Sequence, residues 1–186
     1  MNADNRIKVL TIPSSSVDFL INRDQCTTSV YIAEAVSRKT GSPYLHEALK
    51  LQDRLIPLFD LDLFFRDFFR QEESGEARLA LIRDRKTLSQ DIVSKIAGWE
   101  ECFFGDKETH AEQIAFRVSS ATKMTEVRLR ELQLQPSVSA AYLEKKGILA
   151  VTFSGDGKMG CMIDLDILFE DEILPAGRRD YEDTDS

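Results

Sequence analysis

Two stretches of the chain repeat the same order of apolar and polar residues. Residues 54–64 (RLIPLFDLDLF) align with residues 158–168 (KMGCMIDLDIL), so that Asp60 corresponds to Asp164, 104 positions later. After each Asp-Leu-Asp the apolar residues take helical spacing, at 61, 64, 65, 68 and 69 and again at 165, 168, 169 and 173. Before each Asp the pattern is that of a strand. Each copy therefore predicts a hairpin, an aspartate cap and a short helix.

The hairpin is clearest in the second copy. Asp156-Gly157 lies between the apolar runs 148–153 and 159–163, and Asp-Gly favours a type I′ turn, whose central residues need positive φ. In the first copy the corresponding turn is Gln52-Asp53, which contains no glycine. The repeat indicates two related halves rather than one continuous sheet.

Further short strands are predicted on both sides of the repeats. Their positions are 7–12, 19–21, 30–32, 79–82, 114–119 and 127–135, the last with a bulge at Glu131 and an end at Pro136. Thr87-Leu-Ser-Gln90 has the form of a capping box and predicts an additional helix near 88–97. Many short strands separated by turns are typical of small barrels or a sandwich, so the predicted fold class is mainly β with a few short helices.

Composition narrows the class of partner. The chain has 186 residues, 42% of them hydrophobic and 30% charged, which suits one domain or two small ones. The net charge of −8 argues against nucleic acid as the main partner, and no apolar run approaches the ~18 residues that insertion into a membrane requires. Three cysteines far apart in sequence predict reduced thiols in a cytoplasmic protein.

The two Asp-Leu-Asp segments have two interpretations. Asp60, Asp62, Asp164 and Asp166 could hold a metal in an enzyme, with His110 as a further ligand, if the two segments converge in space. Alternatively, each first aspartate caps a helix, since its carboxylate accepts hydrogen bonds from unpaired N–H groups of the first turn. A repeated cap explains a second copy better than a duplicated active site does. We therefore predict no enzyme, no metal and no cofactor, with the metal-dependent enzyme as the alternative.

Several segments together resemble CheW-like domains. The carriers of the resemblance are residues 51–61 (LQDRLIPLFDL), 113–119 (QIAFRVS), 30–36 (VYIAEAV), and the closing stretch 147–157 through 163–168. The resemblance implies two small five-stranded SH3-like β-barrels around a shared core. It covers a CheW-like domain at residues 18–171, preceded by an N-terminal extension with the first strand (1–17). The excess of acidic residues after the domain predicts a flexible tail (172–186). Within the domain the resemblance places the first barrel at about 18–78 and the second at about 79–171.

The resemblance also implies a function in chemotaxis signal transduction. CheW-like domains are noncatalytic adaptors, or scaffolds, that couple the cytoplasmic tips of chemoreceptors to the regulatory domain of a CheA-type histidine kinase through protein–protein interaction. By this resemblance, the partner-binding candidates are Ala33, Glu34, Ala35, Val36, Gln52 and Asp53. Gln52 and Asp53 replace the usual Arg and Gly of the family, which removes a charged bidentate donor and changes the allowed geometry of the turn.

Overall fold

The computed structural model describes residues 5–15, 17–37, 43–69, 78–88, 112–134, 147–155 and 157–168, together with residues 90, 93, 94, 96, 97 and 100. Through these run twelve strands: β1 (Arg6–Ile12), β2 (Val17–Asn22), β3 (Thr28–Tyr31), β4 (Ala35–Ser37), β5 (Glu47–Leu51), β6 (Arg54–Asp60), β7 (Leu79–Asp84), β8 (Gln113–Val118), β9 (Lys123–Arg128), β10 (Gln133–Leu134), β11 (Ile148–Phe153) and β12 (Met159–Ile163). The helical elements described are α1 (Leu61–Phe69), α2 (Leu165–Leu168) and 3-10 turns at Arg23–Gln25, Arg85–Thr87 and Leu129–Glu131. The mainly β fold class is confirmed.

The strands form two mixed sheets of six strands each, one more than the five implied by the resemblance. One sheet has the order β3-β7-β8-β6-β5-β4 and the other β10-β11-β12-β2-β1-β9. The two edge strands of each sheet are joined by a short connection, residues 32–34 in one and 129–132 in the other. Each sheet therefore curls until its edges approach. We call them the middle barrel (β3–β8) and the terminal barrel (β1, β2 and β9–β12).

The two barrels have matching topology, and each contains one parallel pair, β6 with β8 and β12 with β2. The succession of strands from β1 to α1 is repeated from β7 to α2. However, β1 and β2 complete the terminal barrel, while β7 and β8 complete the middle barrel. The halves of the chain thus exchange a pair of strands. The predicted division into consecutive barrels at residue 78 is wrong, because strand pairing joins segments from both halves in each barrel.

This exchange has a measurable consequence for unfolding. Neither barrel can open its sheet without disturbing strands of the other half, so we expect one cooperative transition in urea rather than two. Far-ultraviolet circular dichroism and hydrogen exchange at β5 and at β12 should report coincident midpoints. Separate midpoints for the two barrels would contradict the coupling.

The apolar residues divide into a shared core and two barrel interiors. The shared core draws on both barrels, with Phe19 and Ile163 from one and Phe59 and Phe116 from the other, all at most 2% exposed. The middle-barrel interior contains Leu49, Ile56, Leu58, Ala80, Ile82 and Ala115, and the terminal-barrel interior contains Val9, Leu20, Val127, Ala150 and Met162. Successive residues of a strand, such as Ala115 and Phe116, face the interior and the shared core in turn.

The strand and bulge predicted over 127–135 are corrected by the structure. β9 ends at Arg128, and the 3-10 turn Leu129–Glu131 separates it from β10. The N–H of Leu132 donates to the carbonyl of Leu129 at 3.2 Å, which closes this turn. The chain must turn here because it passes from one edge of the terminal barrel to the other.

The predicted helix near 88–97 lies partly outside the described residues. The described positions 90, 93, 94, 96 and 97 are helical, and Ile96 is fully buried in the shared core. Cys102, His110 and the predicted acidic tail 172–186 lie outside the part of the chain that the structure describes. The same is true of the side chains of Phe68 and Phe69 on the apolar stripe of α1.

Candidate partner-binding surface

The segment 33–36 lies beside β5 on the middle barrel. The N–H of Lys50 donates to the carbonyl of Glu34 at 3.1 Å, and Lys50 Nζ lies 3.0 Å from the Glu34 carboxylate. Ala35 pairs with Leu49 and Val36 with Ala48 across the antiparallel ladder, and both side chains are half-buried. Ala33 and Glu34 are exposed. The segment therefore presents one polar, exposed end and one end anchored to the barrel.

The turn Gln52-Asp53 closes the hairpin of β5 and β6, as the sequence predicts. Leu51 pairs with Arg54, and both turn residues are exposed. Because Lys50 contacts Glu34 two positions before the turn, residues 33–34 and 52–53 lie at the same end of the middle barrel. All six candidate residues thus belong to one region, which we call the middle-barrel end surface.

The backbone of this turn explains the departure from the Arg-Gly pattern of the resemblance. Gln52 has a φ of 55°, and Asp53 does not share the positive φ. Asp53, which stands where the family has glycine, therefore does not need glycine's conformational freedom. Gln52, in contrast, adopts the left-handed region of φ that residues with a side chain disfavour.

Gln52→Gly is expected to raise the free energy of unfolding by about 0.5–1 kcal/mol, because glycine adopts positive φ without a Cβ penalty. Asp53→Gly is the matched control and is expected to lower stability slightly, since it adds only unfolded-chain entropy. Urea titrations of the two variants check this. A loss of stability in Gln52→Gly would contradict the assigned turn geometry.

Sequence reasoning missed three side chains near this surface. Tyr31, at the end of edge strand β3, is 74% exposed. Lys50 contacts Glu34, and Arg54 lies 4.0 Å from Glu112 with both side chains more than three-quarters exposed. The exposure of Tyr31 could have been predicted from the sequence, because side chains alternate between the two faces of a strand. Its neighbour Val30 packs on the barrel interior, so Tyr31 points outward.

A largely buried ion-pair cluster lies at the end of the β5–β6 hairpin opposite the turn Gln52-Asp53, at the first residue of β5 and the last residue of β6. Arg117 on β8 contacts Glu47 on β5 and reaches Asp60 Oδ2 at 3.1 Å at the end of β6. The three side chains are between 11% and 18% exposed. Arg117 therefore joins three strands of the middle barrel, β5, β6 and β8, at the end remote from this turn.

The first aspartate of each Asp-Leu-Asp segment caps a helix, as predicted. Asp60 Oδ1 accepts from the N–H of Leu63 at 2.8 Å, and Asp164 Oδ1 accepts from the N–H of Asp166 at 2.8 Å. α1 follows a strand of the middle barrel and α2 follows a strand of the terminal barrel. The repeated sequence is a repeated helix start.

The convergence of carboxylates required by the metal-dependent alternative is not found. The four aspartates have separate positively charged or amide partners: Arg117 for Asp60, Arg66 for Asp62, Gln25 for Asp164 and Arg83 for Asp166. Among the described residues, no group of three or more His, Cys, Asp or Glu side chains could hold a metal ion. The described residues therefore give no support to a metal site built on these four aspartates.

The described thiols are not activated nucleophiles. Burial raises the pKa of Cys26 to about 11, although nearby Arg83 and Arg23 act to lower it. Burial also raises the pKa of Cys161 to about 11. The thiolate is the reactive form, so both groups stay protonated at neutral pH and behave as small apolar side chains of the shared core.

Two interleaved barrels with a shared core and an exposed polar end surface define a double-barrel β protein. No protein-family model and no curated protein matches the sequence. Among solved structures, the scaffolding protein TtCheW from Thermoanaerobacter tengcongensis is similar to the chain, with a TM-score of 0.59 over 92% of each chain at 13% sequence identity. The chain therefore has a CheW-like fold, as the sequence resemblance implies.

No α-helix in the described part of the chain has the length and apolar character needed to cross a membrane.

Proposed function

We propose that the chain is a noncatalytic cytoplasmic adaptor of chemotaxis-type signalling, which couples receptor tips to the regulatory domain of a CheA-type histidine kinase. The observation that carries the proposal is the CheW-like fold over 92% of the chain, shared with a protein described as a scaffold. Three of the four aspartates are paired with different arginines, and Asp164 accepts from the Gln25 amide, which speaks against the stated catalytic alternative.

We propose the middle-barrel end surface as the partner contact. It combines the exposed side chains of Ala33, Glu34, Gln52 and Asp53 with the half-buried Ala35 and Val36. A rigid polar rim next to small apolar side chains suits a modest protein–protein interface, because little ordering entropy is lost when a fixed surface docks. On this surface the carboxylate of Glu34 lies 3.0 Å from Lys50 Nζ, and Gln52 has an amide where the family has a cation.

Charge reversal tests the surface. We expect Glu34→Lys to weaken binding to the partner at least tenfold, since it replaces the carboxylate that Lys50 contacts with a like charge. The matched control is Glu126→Lys on β9 of the terminal barrel. Glu126 forms an exposed cross-strand pair with Arg6 at 3.4 Å, comparable to the Glu34–Lys50 pair, so loss of such a pair costs about the same in both variants.

Isothermal titration calorimetry provides the measurement. The probes are a CheA-type regulatory domain and a receptor-tip helical hairpin from the same organism, each at tens of micromolar. No heat with either probe would refute the adaptor function. If Glu34→Lys and Glu126→Lys weaken binding equally, with unchanged urea midpoints, the adaptor function still holds. The partner contact would then not lie on the middle-barrel end surface.

A further inference from the structure

The strands at the edges of the two sheets differ in how well they resist pairing with a further strand. Short length and charged side chains are the usual protections of a sheet edge. In the described part of the chain, β4 has only three residues and β10 only two, and β9 carries Lys123, Glu126 and Arg128. β3 is longer than β4 and β10, and no charged residue occurs from position 25 to position 33. The β3 edge is therefore the least protected of the four.

The backbone groups of Ser29 and Tyr31 point away from β7, the one described strand that pairs with β3. The N–H of Ile32 donates to the carbonyl of Arg78 at 2.8 Å, and the same register continues through residues 28–31. In an antiparallel ladder, residues that bond to the neighbouring strand alternate with residues that do not. Every second residue counted back from Ile32 therefore bonds to β7, and the residues between them offer N–H and C=O groups outward.

The side chains along this edge also suit a further strand. Tyr31 is 74% exposed, and Thr28 and Ser29 are exposed as well. Val30 is half-buried and packs on the barrel interior. Tyrosine, valine and threonine are enriched in strands because they pack well on a pleated surface. An incoming strand would thus meet open hydrogen-bonding groups beside side chains that favour sheet structure.

The edge is complementary to itself. When two copies of β3 run antiparallel with Val30 at the twofold axis, Ser29 of each copy lies opposite Tyr31 of the other. Both residues have outward-facing backbone groups, so each such pair can exchange both N–H···O=C hydrogen bonds. The two Val30 residues then form a non-hydrogen-bonded pair, in which side chains approach most closely.

Charge favours a second copy at this edge over other faces of the molecule. Each chain has a net charge of −8, so two copies repel each other over most of their surfaces. The repulsion is weakest where the contacting strand carries no charge. In the antiparallel register, Glu34 of one copy lies opposite position 26 of the other, so the two Glu34 carboxylates stay apart.

We propose that β3 is the contact of a weak homodimer, in which antiparallel pairing of β3 joins the middle-barrel sheets of two copies. This inference goes beyond the adaptor function and does not depend on it. A contact made by one short strand buries less than the roughly 1,200 Å² of a standard interface, so the dimer forms only at high protein concentration. The pairing is isologous, because the same strand contributes from both molecules.

Sedimentation equilibrium of the full chain tests the dimer. A concentration-dependent equilibrium between monomer and dimer is expected at hundreds of micromolar. Ser29→Pro removes an outward N–H and breaks no bond to β7, which is the one way proline fits an edge strand. It should therefore weaken dimerisation at least tenfold, while the urea midpoint shows that the variant folds.

Met124→Pro is the matched control on the edge strand β9. Met124 pairs with Leu10 as Ser29 pairs with Leu81. The N–H of Leu129 donates to the carbonyl of Asn5 in the same register as β9, so Met124, an odd number of positions away, also points its N–H outward. The control makes the same backbone change on the other barrel and should leave dimerisation unchanged.

Amide hydrogen exchange, followed by nuclear magnetic resonance, needs no variant. The amide of Val30, bonded to β7, should be protected in dilute and in concentrated protein. The amides of Ser29 and Tyr31 should exchange at least fivefold more slowly in concentrated than in dilute protein. Equal rates for these two amides at both concentrations would overturn the proposal. A chain that stays monomeric up to its solubility limit, or a dimer that the two proline variants weaken equally, would also overturn it.

Discussion

Replacing Arg117 with methionine is expected to lower the free energy of unfolding by about 3–5 kcal/mol, the usual cost of removing one partner from a buried ion pair. Arg117 contacts Glu47 and Asp60, and its loss leaves two carboxylates close together with little access to water. The substitution keeps the length of the apolar stem, so the loss measures the missing charge rather than a cavity. Urea titration monitored by circular dichroism gives the free energy.

Arg54→Met is the matched control for this effect. Arg54 lies 4.0 Å from Glu112, and the two side chains are 76% and 77% exposed. Exposed pairs contribute about 0–1 kcal/mol because water and salt screen them, so we expect a change of less than about 0.5 kcal/mol. A similar cost for Arg117→Met and Arg54→Met would show that the buried cluster does not hold the middle barrel together.

Phe65→Ala is expected to destabilise the protein by about 3–5 kcal/mol, through lost apolar burial and the cavity that remains. Phe65 on α1 stacks on Phe19 of β2, with ring centroids 3.7 Å apart and planes 8° from parallel. Both rings are at most 4% exposed. The stack joins a helix that follows the middle barrel to a strand of the terminal barrel, so its loss should weaken the connection between them.

Phe153→Ala makes the same chemical change at a side chain that is 55% exposed. It should cost less than about 1 kcal/mol, because much less apolar surface returns to water. The double variant Phe19→Leu with Phe65→Ala should show non-additivity of about 0.5–1.5 kcal/mol, the contribution of an aromatic pair beyond area burial. Additive costs would indicate that the two rings pack independently of each other.

Much of the local structure is encoded in short stretches of sequence. The strands at 148–153 and 159–163, the turn at Gln52-Asp53 and the start of α1 at Leu61 follow from period-two alternation, turn residues and a capping aspartate. These features depend on residues only a few positions apart, so local pattern predicts them. The assignment of Asp60 and Asp164 as caps rests on the same local hydrogen bonding.

The predicted turn and bulge near the terminal barrel show where local pattern fails. The Asp-Gly signal places the second hairpin correctly, but Gly157 is not a central residue of a two-residue turn, as predicted. The N–H of Gly157 donates to the carbonyl of Ser154 at 2.8 Å, so Gly157, with a φ of 83°, is the last residue of the turn that begins at Ser154. At Glu131 the broken alternation reflects a 3-10 turn rather than a bulge. A break in the alternation of apolar and polar residues shows that regular strand pairing stops. It does not specify whether the strand contains a bulge or the chain crosses to the other edge of the barrel.

The sequence by itself determined the repeated unit of hairpin, capping aspartate and short helix, because these depend on dihedral preferences and hydrogen bonds between near neighbours. Only the tertiary structure decided that the halves exchange strand pairs, with β12 beside β2 and β6 beside β8. It also decided that Arg117 forms an ion pair with Asp60, and Arg83 with Asp166. Such pairings join residues that are tens to more than a hundred positions apart, and many alternative pairings satisfy the same alternation. The choice among them is made when two apolar faces close on one shared core.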